Sequence, residues 1–181
     1  HVRNTRRAIS PRFATRRVRI VTGALYAGTL LLSGRDEGDG DEWPQILEKI
    51  YAADILLMGM SIWFGVRSSV MQMVIERLDG TYNETNDVGQ YPLYNKLARV
   101  VVPGNEDGAH HICAVLFQAL NDVGFTVPAN GATFWNGEAM TGTDYMDLDE
   151  TPEATASATA TAAANAAHLA RVLRADPYPA S

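Results

Sequence analysis

Ile55-Leu56-Leu57-Met58-Gly59-Met60, followed by Ser61-Ile62-Trp63-Phe64-Gly65-Val66-Arg67-Ser68-Ser69, decides how the chain folds. The first six residues are a short apolar run without polar alternation. That is too brief for a helix and suits a strand buried on both faces, as in a parallel sheet. Residues 61–67 read as a loop. Ser68 or Ser69 offers a hydroxyl to cap a helix whose inner face is Val70, Met71, Val74, Ile75 and Leu78. The same grammar recurs downstream. Residues 97–102 are a second buried strand, and residues 103–108 a second loop. A helix follows with Cys113, Leu116, Phe117 and Leu120 on one side, and Gly124 sits where a helix-ending glycine belongs. Residues 125–127 read as a third short strand.

Working outward, Asp41 caps a helix over residues 41–51, with Pro44 in its first turn and Trp43, Ile46, Leu47 and Ile50 at helical spacing. Residues 18–26, rich in β-branched side chains, read as another strand. Repeated strand–loop–helix units imply an α/β fold, a doubly wound parallel sheet with helices on both faces and right-handed crossovers. Nine of the 14 residues 154–167 are alanine. A terminal helix is expected there, docked only at its end through His168, Leu169, Val172 and Leu173.

The 181 residues suffice for one domain. The single cysteine, Cys113, excludes an internal disulfide framework and a four-thiolate zinc site, and it fits a reducing, cytoplasmic setting. No stretch reaches the roughly 18 apolar residues of a membrane span. Charge is uneven: residues 1–35 hold eight arginines and no acid, whereas residues 36–181 carry a balance of −14. The acidic body speaks against a nucleic-acid face. For the basic segment three readings stand open: a targeting sequence, a nucleic-acid arm, or an altered piece of an ordinary fold.

In open α/β sheets, ligands bind beyond the carboxyl ends of the strands, where the two loops fall. Ser61, Ile62, Trp63, Phe64 and Gly65 place two large aromatics beside a glycine. They suit the wall of a site for a flat ring, or a cover over the core. Gly104, Asn105, Glu106, Asp107 and Gly108 combine glycines that allow close backbone approach with polar side chains of both kinds. The loop suits a heterocycle with carbonyl and imide edges and not a phosphate; the alternative is a solvated acidic turn. Glu37, Asp39, Asp41 and Glu48 match part of a calcium-loop spacing, but its sixth position is Glu42, not glycine, so a helix-entry loop is the better reading. His110 and His111 are adjacent, point to different helix faces and cannot grip one metal together. Cys113 lies on the apolar stripe as an inert core thiol. No nucleophile elbow, P-loop or dinucleotide fingerprint is present.

An ordered series of motifs runs from about residue 36 to 145: Asp36-Glu37-Gly38-Asp39-Gly40-Asp41-Glu42-Trp43-Pro44, Ser61-Ile62-Trp63-Phe64-Gly65 with Ser68-Ser69, Gly104-Asn105-Glu106-Asp107-Gly108-Ala109-His110-His111, and Phe134-Trp135. The series resembles the flavodoxin-like, NADPH-dependent FMN reductase family. The resemblance implies a five-stranded sheet holding FMN at its strand ends, residues 61–65 against the isoalloxazine and residues 104–108 at its pyrimidine edge. It also implies hydride transfer from NADPH or NADH to a small-molecule acceptor such as a quinone or flavin, and assembly as a homodimer or homotetramer. The flavin carries the chemistry, so no protein acid–base residue is expected. The family opens on a buried strand and a serine-rich phosphate loop, of which only Asn4-Thr5 answers to the end. The first strand is therefore expected to be missing, as a shift of reading frame would leave it. Met60-Ser61 and Pro103 also depart from the family pattern. The expected organisation is an atypical basic segment (1–35), an FMN-binding core (36–150) and an Ala/Thr-rich helix and tail (151–181). Two other functions remain in view: a module that has lost FMN, and a one-electron carrier of flavodoxin type.

Overall fold

The computed structural model describes residues 36, 38 and 40–180. The strand expected over residues 18–26, the expected loss of a first strand, and Glu37 and Asp39 of the acidic loop lie outside these residues. Among the described residues, three parallel strands form the sheet: β1 (Ile55–Gly59), β4 (Leu97–Gly104) and β5 (Ala132–Asn136), in the order β1-β4-β5. Ile55 pairs with Leu97, and Val100 pairs with Ala132. Between β1 and β4 lie a small antiparallel hairpin, β2 (Ile62–Trp63) and β3 (Val66–Arg67), and helix α2 (Ser69–Asp79). Helix α1 (Trp43–Tyr51) precedes β1, α3 (Ala109–Asp122) joins β4 to β5, and α4 (Glu153–Ala175) follows β5.

Pleating sends alternate side chains of β4 to opposite layers. Ala98, Val100 and Val102 join Trp43, Ile46, Met58, Met71, Ile112 and Leu116 in the main core, beneath α1, α2 and α3. Leu97 faces the other way and packs on Ala166, Ala170 and Leu173 of α4. Helices thus pack on both faces of a parallel sheet, but β1 is not buried on both faces, contrary to the expectation from its apolar run: Leu57 is 55% exposed.

Local chemistry explains the helix ends. The Asp41 carboxylate accepts the Trp43 N–H (3.0 Å) and an Arg77 guanidinium N–H (2.6 Å), in a fully buried ion pair. Arg77 also lies 5.4 Å from the Trp43 ring centroid. Asp41 therefore ties α1 to α2 as well as starting α1. The Ser68 hydroxyl accepts the Met71 N–H and caps α2. The Lys96 ammonium donates to the carbonyls of Tyr51 and Ala53, closing the far end of α1. Gly124 takes the left-handed conformation expected just past α3.

Three expectations need correction. Residues 125–127 form no strand of their own. Thr126 makes one bridge to Leu97, Pro128 then removes a donor, and the chain turns through Asn130 before pairing resumes as β5. The alternation that marks β5 is hidden, because its inward residue Thr133 is polar and accepts a hydrogen bond from buried Arg99 (3.1 Å). Residues 61–67 are a hairpin, not an irregular loop. The alanine run is not merely a prelude to a docked end. One helix spans Glu153–Ala175, and its packing row is Ala162, Ala166, Ala170 and Leu173, while His168 and Val172 are exposed. Alanines let that helix sit close to the sheet.

Candidate functional site

Both loops singled out in the sequence leave the carboxyl ends of neighbouring parallel strands, β1 and β4. The hairpin is built around a two-residue turn. Phe64 and Gly65 both have positive φ, +49° and +76°, the signature of a type I′ turn that matches the twist of paired strands. Ile62 points inward and lies against Gly104; a Cβ at Gly104 would come within 2.7 Å of it. Trp63 and Phe64 point outward, 58% and 93% exposed.

The second loop turns its polar groups toward the first loop and the chain around it. A Glu106 carboxylate oxygen accepts the Phe64 N–H at 3.0 Å. Asp107 accepts the N–H of Gly108, and the Asn105 amide donates to Asp144 (3.2 Å). Asp144 and Asp147 cap a short turn reciprocally. Gly108 has φ +128° and sits directly on the hairpin, since a Cβ there would lie 2.5 Å from the Gly65 carbonyl oxygen. Ser61 is exposed at the start of the hairpin. All ten residues expected at the site are therefore brought together, Glu106 as a tie between loops and Asn105 as a tie to residue 144.

Two exposed aromatic side chains, Trp63 and Phe64, remain outward. Among the described residues, the N–H groups of Asn105, Glu106 and Asp107 make no hydrogen bond. The glycines at both ends of the loop, expected to admit a ligand, instead admit the hairpin: Ile62 lies against Gly104 and Gly65 against Gly108. This donor set fits the ring portion of a flavin, whose carbonyl edge needs N–H donors and whose face needs an aromatic or apolar wall.

Around these loops the structure adds groups that residue spacing did not reveal. His110 packs edge-on to Phe134, centroids 4.7 Å apart, and Trp135 packs against Tyr145 at 5.5 Å. The Asp144/Asp147 capping box was a visible signal for the latter segment. His110 and His111 are both exposed, and the described residues contain no cluster of metal-ligating side chains. Asp41 serves the helix entry and the buried ion pair, not a cation loop. Cys113 is buried in the core, and burial pushes its thiol pKa up, so it is unreactive. A separate cavity of about 360 Å³ lies between the C-terminal ends of α2 and α3, lined by Ile75, Leu78, Tyr82 and Leu120; it is not part of the loop site. No helix among the described residues is long and apolar enough to cross a membrane.

Comparison with known proteins places this geometry. Over 139 residues the chain is 39% identical to an 8-demethyl-8-aminoriboflavin-5'-phosphate synthase of Streptomyces davaonensis, covering 76% of this chain and 54% of that protein. The crystal structure of RosB with bound 8-demethyl-8-formylriboflavin-5'-phosphate superimposes with a TM-score of 0.72 at 39% identity, over 76% of this chain and 55% of that one. A Mycobacterium bovis protein named divalent metal cation transporter MntH is 37% identical over 138 residues, 75% of this chain but 20% of that protein. The chain spans about half the synthase's length and a fifth of the transporter's. The sheet and its helices are a flavodoxin-like α/β fold. The family model described as NADPH-dependent FMN reductase matches residues 12–140. That match begins within the basic segment. The chain belongs to the NADPH-dependent FMN reductase family.

Proposed function

We propose that the chain binds FMN with its ring between the Trp63–Phe64 surface and the donors of residues 105–107, and serves as a flavin-dependent oxidoreductase. Nicotinamide, as NADPH or NADH, would be the reductant and a small molecule of quinone or flavin type the acceptor. The observation that carries this reading is the interlock of two strand-end loops, Gly65 on Gly108 and Phe64 on Glu106, which leaves the Trp63 and Phe64 side chains outward. Family membership supports it.

When bound, the flavin would supply the electron chemistry. The protein's part is to bind and orient. Trp63 and Phe64 would cover one ring face, and the N–H groups of Asn105, Glu106 and Asp107 would favour negative charge on the ring's carbonyl edge.

A second reading makes flavin the substrate. It is favoured by the 39% identity to a protein named for remaking riboflavin phosphate at ring position 8, and by the relative solved with an 8-formyl intermediate. One experiment separates the readings. The purified chain is loaded with FMN and freed of excess; one portion is treated anaerobically with NADPH, and a second is incubated in air with an amino acid as nitrogen donor before its flavin is recovered and weighed by mass spectrometry. Bleached flavin bands with unchanged mass support the reductase. Altered flavin mass supports the second reading. Flavin retained but neither bleached nor altered would favour a one-electron carrier, and no retained flavin would overturn the flavin reading.

A further inference from the structure

The geometry points to Glu106 as a positioning residue that pins the hairpin tip in a strained conformation and so fixes the height and angle of the aromatic surface. The inference deepens the flavin reading above and rests on it for its ligand. Phe64 occupies left-handed backbone space, which an aromatic residue adopts reluctantly. Asn-Gly or Gly-Gly would occupy such a turn without that cost. Packing of the Phe64 ring does not compensate, because the ring is 93% exposed. The contacts that hold the tip are backbone ones: β2–β3 pairing behind it, the Gly65–Gly108 contact beneath it, and the Phe64 N–H donated to Glu106. A carboxylate acceptor makes that hydrogen bond stronger than a neutral one. It spans 42 residues of sequence and joins the two loops at the point where both face the ligand.

Strain at a binding loop, held by a specific tie, is a way of storing a pre-formed geometry. Without the tie, the turn would relax toward conformations that Phe tolerates, and Trp63 would move with it. The Glu106 side chain therefore acts on the ligand through the hairpin and not by contact. The same tie makes the two loops one unit, so a ligand that orders either loop orders both.

The test uses the whole chain and needs no flavin for its first arm. Solvent exchange of the Phe64 amide is measured by NMR in the ligand-free chain and in Glu106→Ala and Glu106→Gln. Exchange should rise about tenfold in Glu106→Ala, since the amide loses its acceptor, and less in Glu106→Gln, which keeps one oxygen. Unchanged exchange in Glu106→Ala would overturn the pin. In the second arm, the FMN Kd should rise about tenfold in Glu106→Ala with Tm held, and partly recover in Glu106→Gln. On a Phe64→Gly background, where glycine accepts the turn unaided, the same substitution should change Kd less than about threefold. An equal loss on both backgrounds would mean that Glu106 meets the ligand directly, which contradicts a positioning role. A chain that takes up no FMN sinks the flavin reading alone, because the exchange measurement still decides whether Glu106 pins the tip.

Discussion

The hairpin after β1 turns its large side chains outward, whereas the loop after β4 turns its polar side chains toward neighbouring chain. Trp63 and Phe64 stand in solvent. Glu106 and Asn105, by contrast, are engaged with Phe64 and Asp144. One loop supplies a surface and the other sets where that surface sits, and the backbone N–H groups of residues 105–107 make no hydrogen bond among the described residues. Residues of equal chemical interest should therefore fail in different ways. Truncating the surface costs affinity, and disturbing the backbone contact between the two loops costs affinity and stability together.

Gly108→Ala should have the largest effect. The new methyl would overlap the Gly65 backbone at a φ that side chains rarely adopt. About 3 kcal/mol of stability should be lost, lowering Tm by about 6–12 °C, and flavin affinity should fall with it. A Tm within about 2 °C of wild type would show that the loops do not touch in solution. Trp63→Ala comes next and should act on the other side of the comparison. Affinity for FMN should drop by about 1–2 kcal/mol, roughly tenfold, while stability changes by less than about 0.5 kcal/mol. Lower stability with untouched affinity would make Trp63 part of the core. Phe64→Gly sharpens the contrast further. Relief of the left-handed strain should leave stability level or raised by about 0.5 kcal/mol, and affinity should fall about threefold. A melt showing marked destabilisation would mean that the ring, not the backbone, holds the tip. Smallest is Asn105→Ala, whose exposed hydrogen bond to Asp144 is worth about 0.5–1 kcal/mol. The double variant with Asp144→Ala should lose no more than either single variant; additive losses would separate the two residues.

Much of this was legible in the sequence where a single physical demand dominated. Residues 55–60 form an apolar run, and residues 97–102 are apolar but for Arg99, which is itself buried; these two runs marked the parallel strands and the two loop positions. The helix over Trp43–Tyr51 showed itself because four apolar side chains fall on one stripe. β5 was not legible, because Thr133 is buried for the sake of Arg99 and Phe134 faces the site edge. The hairpin escaped notice because its strands are two residues long and Phe64-Gly65 lacks the usual asparagine or glycine at the first turn position. The α4 packing row was hidden in small residues that carry almost no hydropathy signal. At the site, the residue types were readable but the division of labour was not. Glu106 looks in sequence like a ligand-facing carboxylate. Its partner, the Phe64 amide, is a backbone group 42 residues away that no spacing rule could connect.

The central claim, that two interlocked loops form one flavin-ring site, is tested most directly by following backbone amides by NMR while FMN is titrated into the chain. Saturable shifts should concentrate at Trp63, Phe64, Asn105, Glu106 and Asp107 with one common Kd, while the cavity residues Leu78, Tyr82 and Leu120 at the opposite helix ends stay still. Saturable shifts centred on that cavity, or on one loop without the other, would contradict the account.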